Sequence, residues 1–562
     1  MTNDSSPNPS PPPPTNPRTL KVWIPLLLSL MMVSGMIIGM KIQKVPLIQS
    51  RTYTAGEGHQ ISISEGSKIE ELLRYIEHRY VDEVDRDKLV DKAIATILDE
   101  LDPHSNYIAA EDLQQVNEQL QGNFEGVGIE FLMIDDTILV VSAISGGPSD
   151  KVGVLPGDKI ISIGDSIVAG VEITTSEIVK YLRGERGTTV NVGMLRNGVG
   201  ELLYFDIERD EIPINSVDIA YMLDERTGYI KINRFSATTH VEFMDSMGYM
   251  IEKEGMKDLV IDLRQNPGGY LQEATKMLSQ LFEDRKQLLV YTEGRKVKRN
   301  DYETTGHQFF EVGEIALLID EGSASASEIM AGAIQDWDRG VVLGRRSFGK
   351  GLVQEQYNLR DGSALRLTVA RYFTPTGRSI QKSYDEDADY DGDLSNRMTS
   401  GELFNQDSIV LLDTTRFYTK KEKRIVYGGG GITPDIFVPV DSLELNYNLL
   451  LVREHVPQFV YRQLENKTTV PAEKKLSDWQ KEYQVSDQMI RELASYVSDK
   501  GVDLTEAELN EITPLLKTIV KARVARQYFG PEGSFSVLNS QDAVVIKALK
   551  ALRGTEVMTE KR

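Results

Sequence analysis

The chain has 562 residues and no cysteine. Disulfides, thiol catalysis, cysteine-ligated zinc or iron–sulfur clusters and a lipidated N-terminal cysteine are thereby excluded. Histidine is scarce, with residues only at 59, 78, 104, 240, 307 and 455, and none of these stand in the HExxH spacing of a zinc hydrolase. Neither a metal centre nor an organic cofactor is expected. Positive charge is also short: 63 Lys and Arg face 85 Asp and Glu, for a net charge of −22. Such a surface repels phosphate backbones, so nucleic acid is not an expected partner. Long hydrophobic runs are missing with one exception. Val22 to Met40 carries no charge and, at 1.5 Å per residue, is roughly 28 Å long, enough to cross a bilayer core.

That segment reads as a single-pass transmembrane anchor. A signal peptide has a shorter apolar region and an A-x-A site, which does not follow here, although Ser34, Gly35 and Gly39 are small enough for cleavage. Met1 to Pro17, mostly Pro, Ser, Asn and Thr, reads as a disordered tail. Basic residues flank the segment on both sides (Arg18 and Lys21, then Lys41, Lys44 and Arg51), so their count does not set its orientation.

The rest is ordinary globular sequence, the whole chain being 40% apolar and 26% charged, and it is too long for one domain. Ile69, Leu72, Leu73, Ile76 and Tyr80 share one helix face, and Leu89, Ala93, Ile94 and Ile97 another. From Phe124 the pattern turns to short strands (Ile129 to Met133, Thr137 to Ser142, Lys159 to Ile163, Thr188 to Leu195, Glu201 to Ile207) with one helix, Ser176 to Arg183. From Gly228 strands and helices alternate. Strands at Tyr229 to Ile232, Leu259 to Leu263, Ile315 to Asp320 and Gly340 to Leu343 interleave with helices from Val241, Leu271 and Ser327. Beyond Val440 charged helices return, such as Asp478 to Tyr496 and Glu506 to Gln527. The expected class is multidomain α/β. Its parts are a disordered tail (1–21), a transmembrane helix (22–40), a linker (41–64), a helical N-terminal unit (65–118), a small partly open β-barrel (119–210), a layered α/β core (211–442) and a helical C-terminal region (443–562).

Three segments of the core carry reactive residue types. Gly322 to Glu328 joins an apolar strand to a helix, so its serines sit where free N–H groups and the helix dipole can stabilise an oxyanion. Read alone, Ser325 with Glu328 is an S-x-x-E capping box. Next comes Ser347 to Gln354, in which Lys350 stands between two glycines beside apolar residues. At an unperturbed pKa only about one Lys in 2,500 is neutral at pH 7, and burial would free its lone pair to act as a base. Gln354 lies on the same face and can orient that amine; the plain alternative is a surface Gly-Lys-Gly loop. In the third, Asp262 to Gly269, paired glycines can aim N–H groups at a ligand, or simply make a tight turn braced by an Asp262–Arg264 pair.

Together these segments, in this order and spacing, resemble the C-terminal processing (tail-specific) serine peptidases. Leu101-Asp102-Pro103-His104-Ser105, Thr374 to Gln381 and Gly431-Ile432-Thr433-Pro434-Asp435 are similar to that family too, and the resemblance covers about residues 65 to 445. It implies that Ser325 is the nucleophile, Lys350 the general base of a Ser–Lys dyad and Gln354 its orienting partner. The oxyanion hole would come from N–H groups of Gly269, with Gly268 beside it, and Ala326. The β-rich unit then looks like a PDZ domain. Gly126, Val127, Gly128 and Ile129 resemble its carboxylate-binding loop and Pro156 to Gly164 its core run, while Arg183 resembles a position that signals ligand occupancy in some members. The resemblance implies a membrane-anchored endopeptidase that recognises protein substrates by free apolar C-termini. Its short tail would be inside and its catalytic part outside the inner (plasma) membrane, in the periplasm or beyond.

Other readings are weighed beside this one. A Ser-His-Asp triad would need His104, His240 or His307, each of which reads as a surface or structural residue. Asp387-x-Asp389-x-Asp391-Gly392 opens like a calcium loop, but Met398 stands at its twelfth position instead of a bidentate Glu. A catalytically silent PDZ scaffold at the membrane would keep Gly126 to Ile129 and need neither Ser325 nor Lys350. The C-terminal amphipathic helices could wrap the core or join two copies into a homodimer.

Overall fold

Apolar residues alternate along the central strands so that each strand feeds two cores. In the computed structural model, which describes residues 51–54, 60–63, 68–385, 389–410, 413–464 and 474–554, Leu259 and Ile261 face one way and Val260 the other. The sheet has six strands in the order Ile219–Met222, Thr227–Lys231, Asp258–Asp262, Ile315–Ile319, Val341–Gly344 and Ile436–Phe437; the first pair is antiparallel and the others parallel. Helices Thr239–Tyr249, Leu271–Leu281 and Ala326–Asp336 cover one face. The opposite face is covered by helix Ala543–Leu552 through Val544, Val545 and Ala548. Asp542 caps that helix and pairs at 2.7 Å with Arg264, which also grips Asp262. The apolar stripes of the C-terminal region are therefore spent within the chain: one helix completes the sheet, and the others form their own core around Val456, Leu493 and Leu516.

A second sheet, not foreseen from the sequence, lies beside the site. It runs Asn300–Glu303, Leu288–Glu293, Ala364–Phe373, Leu352–Asn358, with Asn106–Ile108 also pairing on Ala364–Phe373. Its strands mix charged and apolar residues with little alternation, which hid them. The sheet of the β-rich unit is ordered Leu203–Glu208, Thr189–Leu195, Lys159–Ile163, Thr137–Ala143, Ile129–Ile134, so Ile129–Ile134 is an edge strand. Helix Thr175–Leu182 begins with a reciprocal Thr174–Glu177 capping box. This unit meets the C-terminal helices through ion pairs: Arg526 with Glu130 at 2.7 Å, and Arg462 and Lys500 with Asp135. A cavity of about 380 Å³ lies there, lined in part by Ile134, Leu139, Tyr461 and Arg462.

Several expectations need correction. The helix expected over Asp478 to Tyr496 is two helices, Leu476–Glu482 and Asp487–Ser498, because Ser486 caps the second by accepting from Met489 N–H. The helix begun at Glu506 is carried on to Asn539, broken at Gly530 before Pro531. Part of the expected linker pairs as strands, Arg51–Thr54 with Gln60–Ile63. Residues 1–93 form a unit by themselves, in which helix Lys68–Arg79 buries only Leu73 and leaves Ile69, Leu72 and Tyr80 exposed. Val22 to Met40 and the tail lie outside the described residues, and among the described residues no helix is long and apolar enough to cross a membrane.

Candidate active site

Ser325 occupies the sharp turn between strand Ile315–Ile319 and helix Ala326–Asp336, at φ 53° and ψ −111°. A non-glycine residue there is strained by about 1–3 kcal/mol and stays only where its surroundings hold it. Both of its peptide groups are held. Its N–H donates to Glu328 Oε2 at 2.8 Å, and its carbonyl lies 3.0 Å from the buried Tyr372 hydroxyl, which also reaches the Lys350 carbonyl. The expected Ser325–Glu328 capping box is present, and the Glu328 carboxylate holds its half through the Ser325 N–H.

Gly268 and Gly269 pass directly under this turn, at φ 96° and 143°. A Cβ on Gly268 would lie 2.7 Å from the Ser325 Cβ, and one on Gly269 would lie 2.1 Å from the Phe235 carbonyl oxygen, so no side chain fits at either position. The Gly268 N–H is spent on the Asn266 side chain at 2.8 Å. Among the described residues no protein acceptor takes the N–H of Gly269 or of Ala326. The loop's root is the structural Asp262–Arg264 pair: burial opposes ionisation of Asp262, but Arg264 and Lys231 together hold its pKa below the usual range.

Lys350 precedes strand Leu352–Asn358 and is half-buried; its Nζ donates to Gln354 Oε1 at 3.0 Å. Burial, then the charge of Arg366, lowers its pKa, while Glu328 and Asp102 pull the other way. The Gln354 amide donates in turn to the His104 carbonyl. Thus Leu101 to Ser105 reaches the site through its backbone, Asp102 fastening it to Thr368 and Ser105. The His104 ring faces Tyr390 at 2.6 Å, and burial followed by the Lys350 charge brings its pKa down to about 4. It was set aside as a triad candidate, yet its main chain belongs to the site.

Glu328 ties the two loops together. Its fully buried carboxylate accepts from Ser325 N–H on one side and from Ser347 Oγ (2.5 Å), Gly349 N–H (2.7 Å) and Lys350 N–H (2.8 Å) on the other. Burial outweighs these donors and pushes its pKa up to about 7. A sequence reading assigns Glu328 to capping because only the fold brings Ser347 to Lys350 against it. Behind the lysine loop, Arg397 on helix Asp393–Thr399 donates to the Ser347 carbonyl at 3.2 Å and to the Arg346 carbonyl, and Glu402 is shared by Arg397 and Arg346.

The β-rich unit places Val127 and Gly128 just before its edge strand. Their carbonyls accept from Ser149 and Ile144, while their N–H groups have no protein acceptor among the described residues. Arg183 pairs with Glu118 at 2.6 Å and lies over the Phe124 ring. Of the acidic run, residues 386–388 lie outside the described residues. Asp389 serves Gly392 and Asn396, and Asp393 serves Lys382.

A serine turn, a glycine loop and a lysine loop converge on a layered α/β core that follows the β-rich unit. Comparison with known proteins carries this further. The sequence profile of peptidase family S41 matches residues 226–390, that of the PDZ domain 126–207 and that of the activating protease CtpB N-terminal domain 30–112; a family of unknown function matches 446–530. Carboxy-terminal processing protease CtpB of Bacillus subtilis is 36% identical over 318 residues, 56% of this chain and 65% of that protein. CtpA of the same organism is 35% identical over 327 residues, 57% and 67%. The chain thus spans about two thirds of the length of these relatives. Among solved structures, the photosystem II D1 C-terminal processing protease is 27% identical over 58% of this chain and 88% of that one, with a TM-score of 0.32. The chain belongs to the carboxy-terminal processing proteases of family S41.

Proposed function

We propose that the protein is a membrane-anchored serine endopeptidase that recognises substrate proteins by their C-termini and cleaves them with a Ser325–Lys350 dyad. One observation carries the reading: the half-buried Lys350 amine, held by Gln354, belongs to a loop that Glu328 joins to the strained Ser325 turn. Lys350 in its neutral form takes the Ser325 proton as Oγ bonds to the peptide carbonyl carbon. The oxyanion is met by the unspent N–H groups of Gly269 and Ala326. The C–N bond then breaks, Lys350 gives its proton to the leaving amine, and water enters by the same base to hydrolyse the ester. Gly126 to Ile129 receives the terminal carboxylate while the substrate tail adds to the open edge of Ile129–Ile134. Val22 to Met40 anchors the chain in the plasma membrane with the peptidase on the extracytoplasmic side.

The test offers wild type and Ser325→Ala an unfolded protein with an apolar C-terminus, free or amidated. Cleavage by wild type alone, faster with the free end, is expected. Equal cleavage of both ends would remove tail recognition, and binding without cleavage by folded wild type would favour the silent scaffold.

A further inference from the structure

Strand Ala364–Phe373 pairs with Leu352–Asn358 so that Thr368 stands opposite Gln354 and Arg366 opposite Gln356. On either side of a bulge between Thr368 and Ala370 alternate residues share a face, so Arg366 and Thr368 line the face that carries Gln354. This face is turned to the site. On it Gln354 holds the Lys350 amine, and Thr368 donates to Asp102 of the segment whose His104 carbonyl Gln354 also meets. Arg366 comes next, roughly 7 Å along the strand from Thr368.

Arg366 is half-buried, and among the described residues its guanidinium makes one hydrogen bond, from Nη2 to Gln356 Oε1 at 3.3 Å. Among the described residues no carboxylate pairs with it, unlike Arg264, Arg345, Arg346, Arg378 and Arg397, which all have acid partners. Most of its five N–H donors are unspent, and a desolvated guanidinium without an anion is unfavourable. Its charged and titratable surroundings belong to the site: it depresses the pKa of Lys350, and its own charge is felt against Tyr270, the residue after the glycine pair.

We propose that Arg366 is a specificity-determining residue that binds a carboxylate of the substrate beside the scissile peptide, either an acidic side chain or a nearby chain end. The inference rests on the peptidase reading above and deepens it. A bound carboxylate also cancels part of the Arg366 charge, so Lys350 accepts the Ser325 proton more readily in the complex than in the free enzyme.

The full-length chain, as wild type, R366K, R366Q and R366M, is given end-blocked quenched peptides in which one Asp or Asn is scanned three residues either side of the cleaved bond. An acid-free set ends close to that bond, free or amidated. Wild type should favour Asp over Asn at one position, or free over amidated ends, by about tenfold in kcat/KM, the worth of a charge-assisted hydrogen bond. R366K should keep part of that ratio, and R366Q and R366M should lose it while still cleaving the Asn peptides. Which set carries the ratio names the source of the carboxylate. Equal ratios in wild type and the neutral variants overturn the proposal; R366M retains the apolar stem and stands in if R366Q does not fold. K350M separates the two readings: turnover by K350M defeats the dyad, whereas the Arg366 ratios answer on their own.

Discussion

The catalytic core and the PDZ unit are held by opposite means. Ser325 and Lys350 are fixed by buried groups, Glu328 from the front and the Arg346–Glu402–Arg397 cluster from behind. The strand that would receive a substrate tail is fixed to the C-terminal helices by exposed pairs, Glu130–Arg526 and Asp135–Arg462. Buried hydrogen-bonded charges are costly to break, whereas exposed pairs contribute little and yield to salt. The site is thus built to keep one geometry, and the PDZ unit to move at small cost.

The sharpest test of the rigid half is chemical. Ser325→Ala and Lys350→Met should each lower kcat by about a thousandfold or more while changing the unfolding midpoint little, as steady-state assays and calorimetry would show. Equal losses of stability would make these residues structural. Next in size, Glu402→Ala leaves the buried Arg346 without its acid and Arg397 with Asp393 alone at 3.8 Å, and should cost about 3–5 kcal/mol in urea unfolding.

Glu328 gives a smaller effect with a definite sign. Its folded pKa of about 7 exceeds its unfolded value, so between about pH 4.5 and 7 the folded state holds a proton that the unfolded state has lost. Stability should therefore fall as pH rises through that window, by up to about 3 kcal/mol, and Glu328→Gln should flatten the slope. A slope unchanged in the variant would assign the titration elsewhere. Smallest is the loose half. Arg462→Ala and Arg526→Ala should each change stability by less than about 1 kcal/mol, yet make proteolysis between the PDZ unit and the C-terminal helices faster and less salt-dependent. If either costs as much as Glu402→Ala, the contrast between the two regions fails.

Much of this was legible in the sequence because local signals carried it. The β–α rhythm after Gly228 pointed to the central sheet, Ile315 to Asp320 read as a strand for its unbroken aliphatic run, and Lys159 to Ile163 for its three isoleucines between turn residues. Ser325, Lys350 and Gln354 stood out by motif. What stayed hidden depends on distant pairing. Arg366 looks like any strand arginine until its register opposite Gln356 is known. Glu328 looks like a cap until Ser347 to Lys350 folds onto it. His104 was dismissed as a side chain, and its contribution is a carbonyl, which composition never signals.

The bond between Arg264 and Asp542 joins residues 278 positions apart. A ribosome adding roughly 5–20 residues per second needs about 14–56 s to make that stretch. Throughout that interval the sheet beside the glycine loop has no helix on its second face, because Val544, Val545 and Ala548 do not yet exist. The contact makes the root of the glycine loop a late-finished part of the fold: Arg264 holds Asp262 from its neighbourhood in the chain but waits 278 positions for Asp542.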